Sequence, residues 1–285
     1  MPPIVGVILM VIVIIFSIFD PNGSSHNAFL HYKEYLIVIG MMLGYFFISN
    51  PILLQKELIK KIIFYSNKKN LSKESYTSLL MTLLDFLRFS QANTHQDIER
   101  HIENIADSPI LKTNNLLIKN KLAQTFFCDY FRLIVIGFDN VYEIDYMMSD
   151  RINEIKTHND RLSGVINKMA DALPGIGLIA AILGMIIALS SAGDEAPILA
   201  AKIASAMVGT FLGIFMSYSI FSPLNNYLEN VMDVEIKIIE CLKAAILAYV
   251  KGHPPSICIE FARQVIPSYI QPSFHEIELA ADRKK

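Results

Sequence analysis

Clustered chemistry is what this sequence has least of. Its three cysteines, Cys128, Cys241 and Cys258, fall in no CxxC or His/Cys ligand spacing. They read as reduced thiols buried like small hydrophobes, and neither a disulfide frame nor a metal site is expected. The seven histidines are dispersed, there is no glycine-rich phosphate loop, and no nucleophile stands beside a base. That leaves no enzyme constellation and no implied cofactor. Gly175 and Gly177 resemble a fragment of a dinucleotide fingerprint but follow no strand. Low-complexity segments and clear internal repeats are also missing. The net charge of −2 gives no whole-protein case for a nucleic-acid partner.

Charge itself is scarce. Only 18% of residues are charged against 53% hydrophobic, a balance too apolar for an ordinary soluble domain. Two uncharged runs, 172–192 and 203–224, are each long enough to cross about 30 Å of hydrocarbon as a helix. The second helix is taken to begin at 199, after a short loop carrying Asp194, Glu195 and Pro197, so the pair is expected to form a membrane hairpin. Small residues recur every fourth position along it: Ala180, Gly184 and Ala188 in the first helix, then Ala201, Ser205, Gly209, Gly213 and Ser217 in the second. Such stripes let helix backbones approach closely where lipid supplies no hydrophobic drive. Neither run holds an Asp, Glu or His, and the nearest cation, Lys202, sits at an edge. An ion path through this hairpin therefore needs a carboxylate brought by a partner.

Two further apolar runs precede the hairpin. Residues 1–20 lack the basic flank and small-residue cleavage site of a signal peptide and are expected to be a retained first membrane helix. Residues 35–54 follow a short polar loop as the second, with Pro51 a kink or stop near its end. Sixteen of the 25 Lys and Arg lie in 55–171 and seven after 224. The positive-inside rule then places the long segment and both termini in the cytoplasm, around four spans. The segment 55–171 is expected to be helical. A helix starting near Asn93 or Thr94 buries Ile98, Ile102 and Ile105 and leaves Glu99, Arg100 and Glu103 outward. The run around Phe126–Phe138 is interrupted by Asp129 and Arg132, so it reads as a buried core helix rather than a span. From Val141 a long helix runs into the hairpin. Another leaves it after Pro223, opens the tail 225–285, and stops at Gly252, Pro254 and Pro255.

Several single residues carry two readings. Pro174 and Pro223 mark the inner ends of the hairpin helices, as punctuation or as hinges. Thr210 lies mid-span, where its hydroxyl either bonds the Ala206 carbonyl or faces a hydrated ion path. Glu99, Arg100 and Glu103 read as a solvated helix face.

The stretches "DALPGIGLIAAILG", "AMVGTFLGI" and "FSPL", with the loop "DIERHIEN" and the tail "GHPPSICIEFAR", resemble the MotA family of flagellar stator subunits, within the wider MotA/TolQ/ExbB group. The resemblance implies an all-α polytopic protein of the bacterial inner membrane, with four transmembrane helices and a cytoplasmic helical domain. It implies a pentamer in lipid around two helices of a MotB-like single-span partner that supplies an aspartate. It further implies an ion channel, with the alanines near Thr210 leaning to protons, that drives torque on a FliG-like rotor protein. By the same resemblance Pro174 and Pro223 are conformationally important, Thr210 and Ala181 line the ion path, and Glu99 faces the rotor. Where the family has a rotor-facing arginine this chain has Gln91, with Arg88 one turn earlier as a substitute. The alternatives are an energising subunit of the TolQ/ExbB kind, driving outer-membrane work, and a plain scaffold or self-contained transporter. A transporter needs an intramembrane polar cluster or broken helices, and neither is visible in the sequence.

Overall fold

The computed structural model describes residues 32–66, 72–105, 107–190 and 196–282. The expected first membrane helix, 1–20, lies outside the described residues, as do loop residues Asp194 and Glu195. Among the described residues the chain is helical, with no strand. In order, the helices are α1 (Tyr32–Ser49), α2 (Ile52–Ser66), α3 (Lys73–Ala92) and α4 (His95–Glu103). A 3₁₀ turn (Leu111–Thr113) leads to α5 (Asn115–Lys119), α6 (Lys121–Val135) and the long α7 (Val141–Leu189). Next come α8 (Ala196–Phe215), a π-helical segment (Met216–Phe221), α9 (Ser222–Val250), α10 (Pro255–Gln264) and α11 (Phe274–Asp282). The chain divides into two compact units, Met1–Lys68 with Asn159–Val231, and Lys69–His158 with Met232–Lys285.

The first unit is built on α1, α8 and the later part of α7. Glu34, Val38, Met42 and Phe46 recur at four-residue spacing on α1; the last three are buried, and α1 packs on α8. Within the expected span 35–54 the helix ends at Ser49 and resumes at Ile52, at the kink or stop expected of Pro51. Asn50 and Pro51 break it, because proline has no N–H to give the carbonyl four residues back. Side chains supply the missing donors. Asn50 donates to the Phe46 carbonyl at 2.9 Å, and Gln55 donates to the Asn50 and Phe47 carbonyls at 2.7 and 3.3 Å. Two helices are long and apolar enough to cross a membrane, Val141–Leu189 and the continuous helix Ala196–Val250, while Glu34–Ser49 is shorter. Their side chains point outward in number, among them Leu178, Ile182, Ile186, Met207, Phe211 and Ile214.

In the second unit large side chains fill a conventional core. Tyr76, Leu80, Phe86, Leu87, Phe127 and Phe131 are almost entirely buried. Phe86 meets the rings of Phe127 and Phe131 edge-on, with centroids 5.2 and 4.9 Å apart, a favoured quadrupole geometry. The 121–135 segment is thus a core helix, as its charged interruptions predict. All three cysteines are buried, and desolvation pushes the Cys128 and Cys258 thiols up to about 11 and Cys241 to about 12. Gly252, at φ +80°, takes the left-handed conformation that ends α9.

Candidate functional site: a close helix crossing and a charged turn

The membrane-type unit is organised by a crossing of α7 and α8 with almost nothing between the backbones. A methyl group built on Gly213 would lie 2.5 Å from the Leu173 carbonyl oxygen and 2.8 Å from the Gly177 Cα. One on Gly177 would lie 2.7 Å from the Gly209 carbonyl oxygen, and one on Gly209 would lie 2.9 Å from the Ala180 Cβ. Further along, a methyl on Gly184 would lie 2.8 Å from the Ala206 Cβ. These positions are too tight for any Cβ, so glycine is required by proximity rather than by backbone angle. Close approach of this kind is how helices associate in lipid.

Of the sequence-predicted packing residues, Ala180, Gly184, Gly209 and Gly213 therefore meet in one seam. Ala201 falls on α8, in a position whose side chain is not described. Ser205 turns elsewhere, donating its hydroxyl hydrogen bond to Glu34 on α1. Two participants give little sign of themselves in the sequence. Gly177 resembles a stray motif fragment in the sequence, yet it stands three residues before Ala180 and seven before Gly184, on the same helical face. Glu34 precedes the expected span 35–54, yet it belongs to the first turn of α1.

Ala181 and Thr210 flank this seam. The Ala181 nitrogen would lie 3.3 Å from a methyl on Gly209, and Thr210 is the next residue along α8; both side chains are half-buried. Pro174 sits within α7 beside Leu173, whose carbonyl meets Gly213. Pro223 is exposed and follows the π-helical segment, where the Ser222 N–H donates to the Ser217 carbonyl five residues back. A proline ring clashes with the carbonyl four residues before it, and a widened turn relieves that clash. The sequence gives no sign of this change of register.

Charged residues gather at a different place, the turn from α3 to α4. Arg88 and Gln91 are exposed near the end of α3, and Glu99, Arg100 and Glu103 are exposed on α4. Thr94 caps α4, with the Asp97 carboxylate accepting from its hydroxyl at 2.6 Å and its N–H at 3.4 Å. The Thr94 hydroxyl holds Asp97 below its ordinary carboxylate value. Ile98, Ile102 and Ile105 are buried, as the periodicity predicts. His101 braces the turn with a 2.7 Å hydrogen bond between its Nδ1 and the Ser108 hydroxyl, and its ring meets Phe89 at 4.6 Å. Burial lowers its pKa. Among the described residues no group of three or more His, Cys, Asp or Glu is placed to hold a metal.

Fold and site together define a class: an α-helical membrane protein with a close-packed helix crossing whose apolar stretches hold no acid, and a separate helical unit presenting a charged turn. Comparison with known proteins narrows the class. The profile of the MotA/TolQ/ExbB proton channel family matches residues 118–241, and that of the motility protein A N-terminal region matches 4–94. Motility protein A of Escherichia coli K12 is 33% identical over 95% of this chain and 92% of its own. Chemotaxis protein LafT of Vibrio parahaemolyticus is 27% identical over 95% of each. Among solved structures, MotAB of C. jejuni matches with TM-score 0.73 at 19% identity, over 93% of this chain and 95% of that one. The flagellar MotAB stator complex of Bacillus subtilis matches with TM-score 0.69 at 20% identity, over 97% and 98%. This chain belongs to the MotA/TolQ/ExbB proton channel family.

Proposed function

We propose that this chain is the channel-forming stator subunit of a flagellar motor, with the charged turn of its cytoplasmic unit as its rotor contact. One observation carries this reading. The α7–α8 seam is closed by backbone contact at Gly177, Gly209 and Gly213, and no Asp, Glu, His, Lys or Arg occurs in 172–189 or 203–224. The stretches that form this seam pack tightly and carry no charge, so the acid that takes the ion beside the seam comes from another chain. A single-span partner of the MotB kind supplies it, several copies of this chain surround it, and Thr210 and Ala181 line the path. The hairpin and two earlier spans, 1–20 and 35–54, sit in the bacterial inner membrane with both termini cytoplasmic.

Each protonation of the partner's aspartate removes a charge beside the seam and shifts its packing. Pro174, and Pro223 with its π turn, let α7 and α9 bend without breaking a full hydrogen-bond ladder. That motion carries the cytoplasmic segment 55–171, and with it Arg88, Gln91 and Glu99, against the charges of a FliG-like rotor protein. Motility-protein relatives and the match over 4–94 favour this over energising work at an outer membrane. The test is complementation: with its partner the chain should restore swimming to a stator-less cell, and Glu99→Lys should lower torque with normal membrane insertion. Unchanged swimming in that variant would remove the rotor role of Glu99.

A further inference from the structure

Glu34 sits on the face of α1 that carries buried Val38, Met42 and Phe46 at four-residue spacing. An acid in a first helical turn is ordinarily explained by the helix dipole and faces water. This one faces a packed helix. One carboxylate oxygen accepts the Ser205 hydroxyl of α8, while the other is shielded from solvent and has no hydrogen-bond partner. Leaving a buried carboxylate oxygen bare is costly, and binding a proton there removes the charge that makes it so. Ser205 precedes Thr210 by five residues, so the site lies about 7.5 Å along the axis from Thr210, toward the start of α8.

We infer that Glu34, held by Ser205, is a second proton-binding carboxylate of the ion path, supplied by this chain and loaded before the partner's aspartate. The inference rests on the channel reading above. In the step, the Glu34 carboxylate takes a proton from a hydronium ion on the loop side, leaving neutral water. Its O–H bond then breaks as a new O–H forms on the partner's carboxylate, directly or through water, and Glu34 returns to the anion. Among the described residues the titratable neighbours are Tyr35 on α1, within electrostatic reach of Glu34, and Lys202, one turn before Ser205 on α8. From 172 to its end α7 has no ionisable side chain.

The test uses the intact complex of this chain with its single-span partner in vesicles holding a pH-sensitive dye, together with infrared difference spectra. Glu34→Gln is expected to cut proton flux roughly tenfold or more and to abolish one carboxylic-acid C=O band. Glu34→Asp should recover part of the flux. Ser205→Ala removes the hydrogen bond to the carboxylate, so the Glu34 band and the pH profile of flux should both change. A Glu34→Gln complex with wild-type flux and pH profile overturns the inference while leaving the channel intact. A wild-type complex that carries no protons overturns both. Should Glu34→Gln fail to assemble, Ser205→Ala decides, and an unmoved pH profile with an unmoved band overturns the assignment.

Discussion

The two units are held together by opposite means. In Lys69–His158 with Met232–Lys285, stability comes from large side chains filling space, Phe86 against Phe127 and Phe131. In the other unit the decisive contacts involve residues with almost no side chain, Gly177, Gly209 and Gly213, because the backbones themselves touch. Water drives the first kind of packing and is absent from the second. A single methyl group therefore has opposite signs in the two places: removing one hurts the core, and adding one hurts the seam.

That contrast is sharpened by substitution. The largest effect is expected from Phe86→Ala, about 3–5 kcal/mol of destabilisation. Hydrogen exchange should locate it in α3, α6 and α10 while amides of 173–189 stay protected. Gly213→Ala should cost about 1–3 kcal/mol by overpacking, with faster exchange confined to the seam and loss of swimming. Equal exchange in both units for either variant would break the contrast. Asn114 is buried, caps α5 by accepting from the Leu116 and Leu117 N–H groups at 2.9 and 3.2 Å, and donates to Ser78 at 3.3 Å. Asn114→Ala should lower the stability of that unit by about 1–2 kcal/mol, read as a shift in denaturation midpoint.

Smaller effects concern the charged turn. Glu99→Lys, on an exposed helix face, should change stability by less than about 0.5 kcal/mol while reducing torque, which separates function from folding in one variant. For His101, burial lowers the folded pKa, so the unfolded chain binds its proton more readily. Stability at this turn is then full above the ordinary imidazole value of about 6.5 and falls as pH drops below it. Exchange of the α4 amides should quicken over that window, and His101→Phe should flatten the dependence.

Legibility followed the same division. Where side chains do the packing, the sequence announces it: the Ile98, Ile102 and Ile105 spacing, the interrupted apolar run of α6 and the scattered cysteines all predict what is buried. Where backbone does the packing, hydropathy is silent. Gly177 carries no apolar signal, and only its spacing from Ala180 and Gly184 marks it. The Asn50–Pro51 break is half legible: Pro51 marks a kink or stop near the end of the apolar run, while the Asn50 and Gln55 side chains that supply its hydrogen bonds carry no such signal. The π turn before Pro223 is a change of hydrogen-bond register that residue types do not encode. Glu34 reads as loop polarity, since neither its helix nor its bond to Ser205, far away in sequence, can be seen locally.

Proton flux measured across vesicles, for this chain alone and with its single-span partner, tests the central claim most directly. The account predicts a tight vesicle for the chain alone, flux when the partner is present, and none once the partner's aspartate becomes asparagine. Sustained flux through the chain by itself, or through the complex carrying that asparagine, would contradict it.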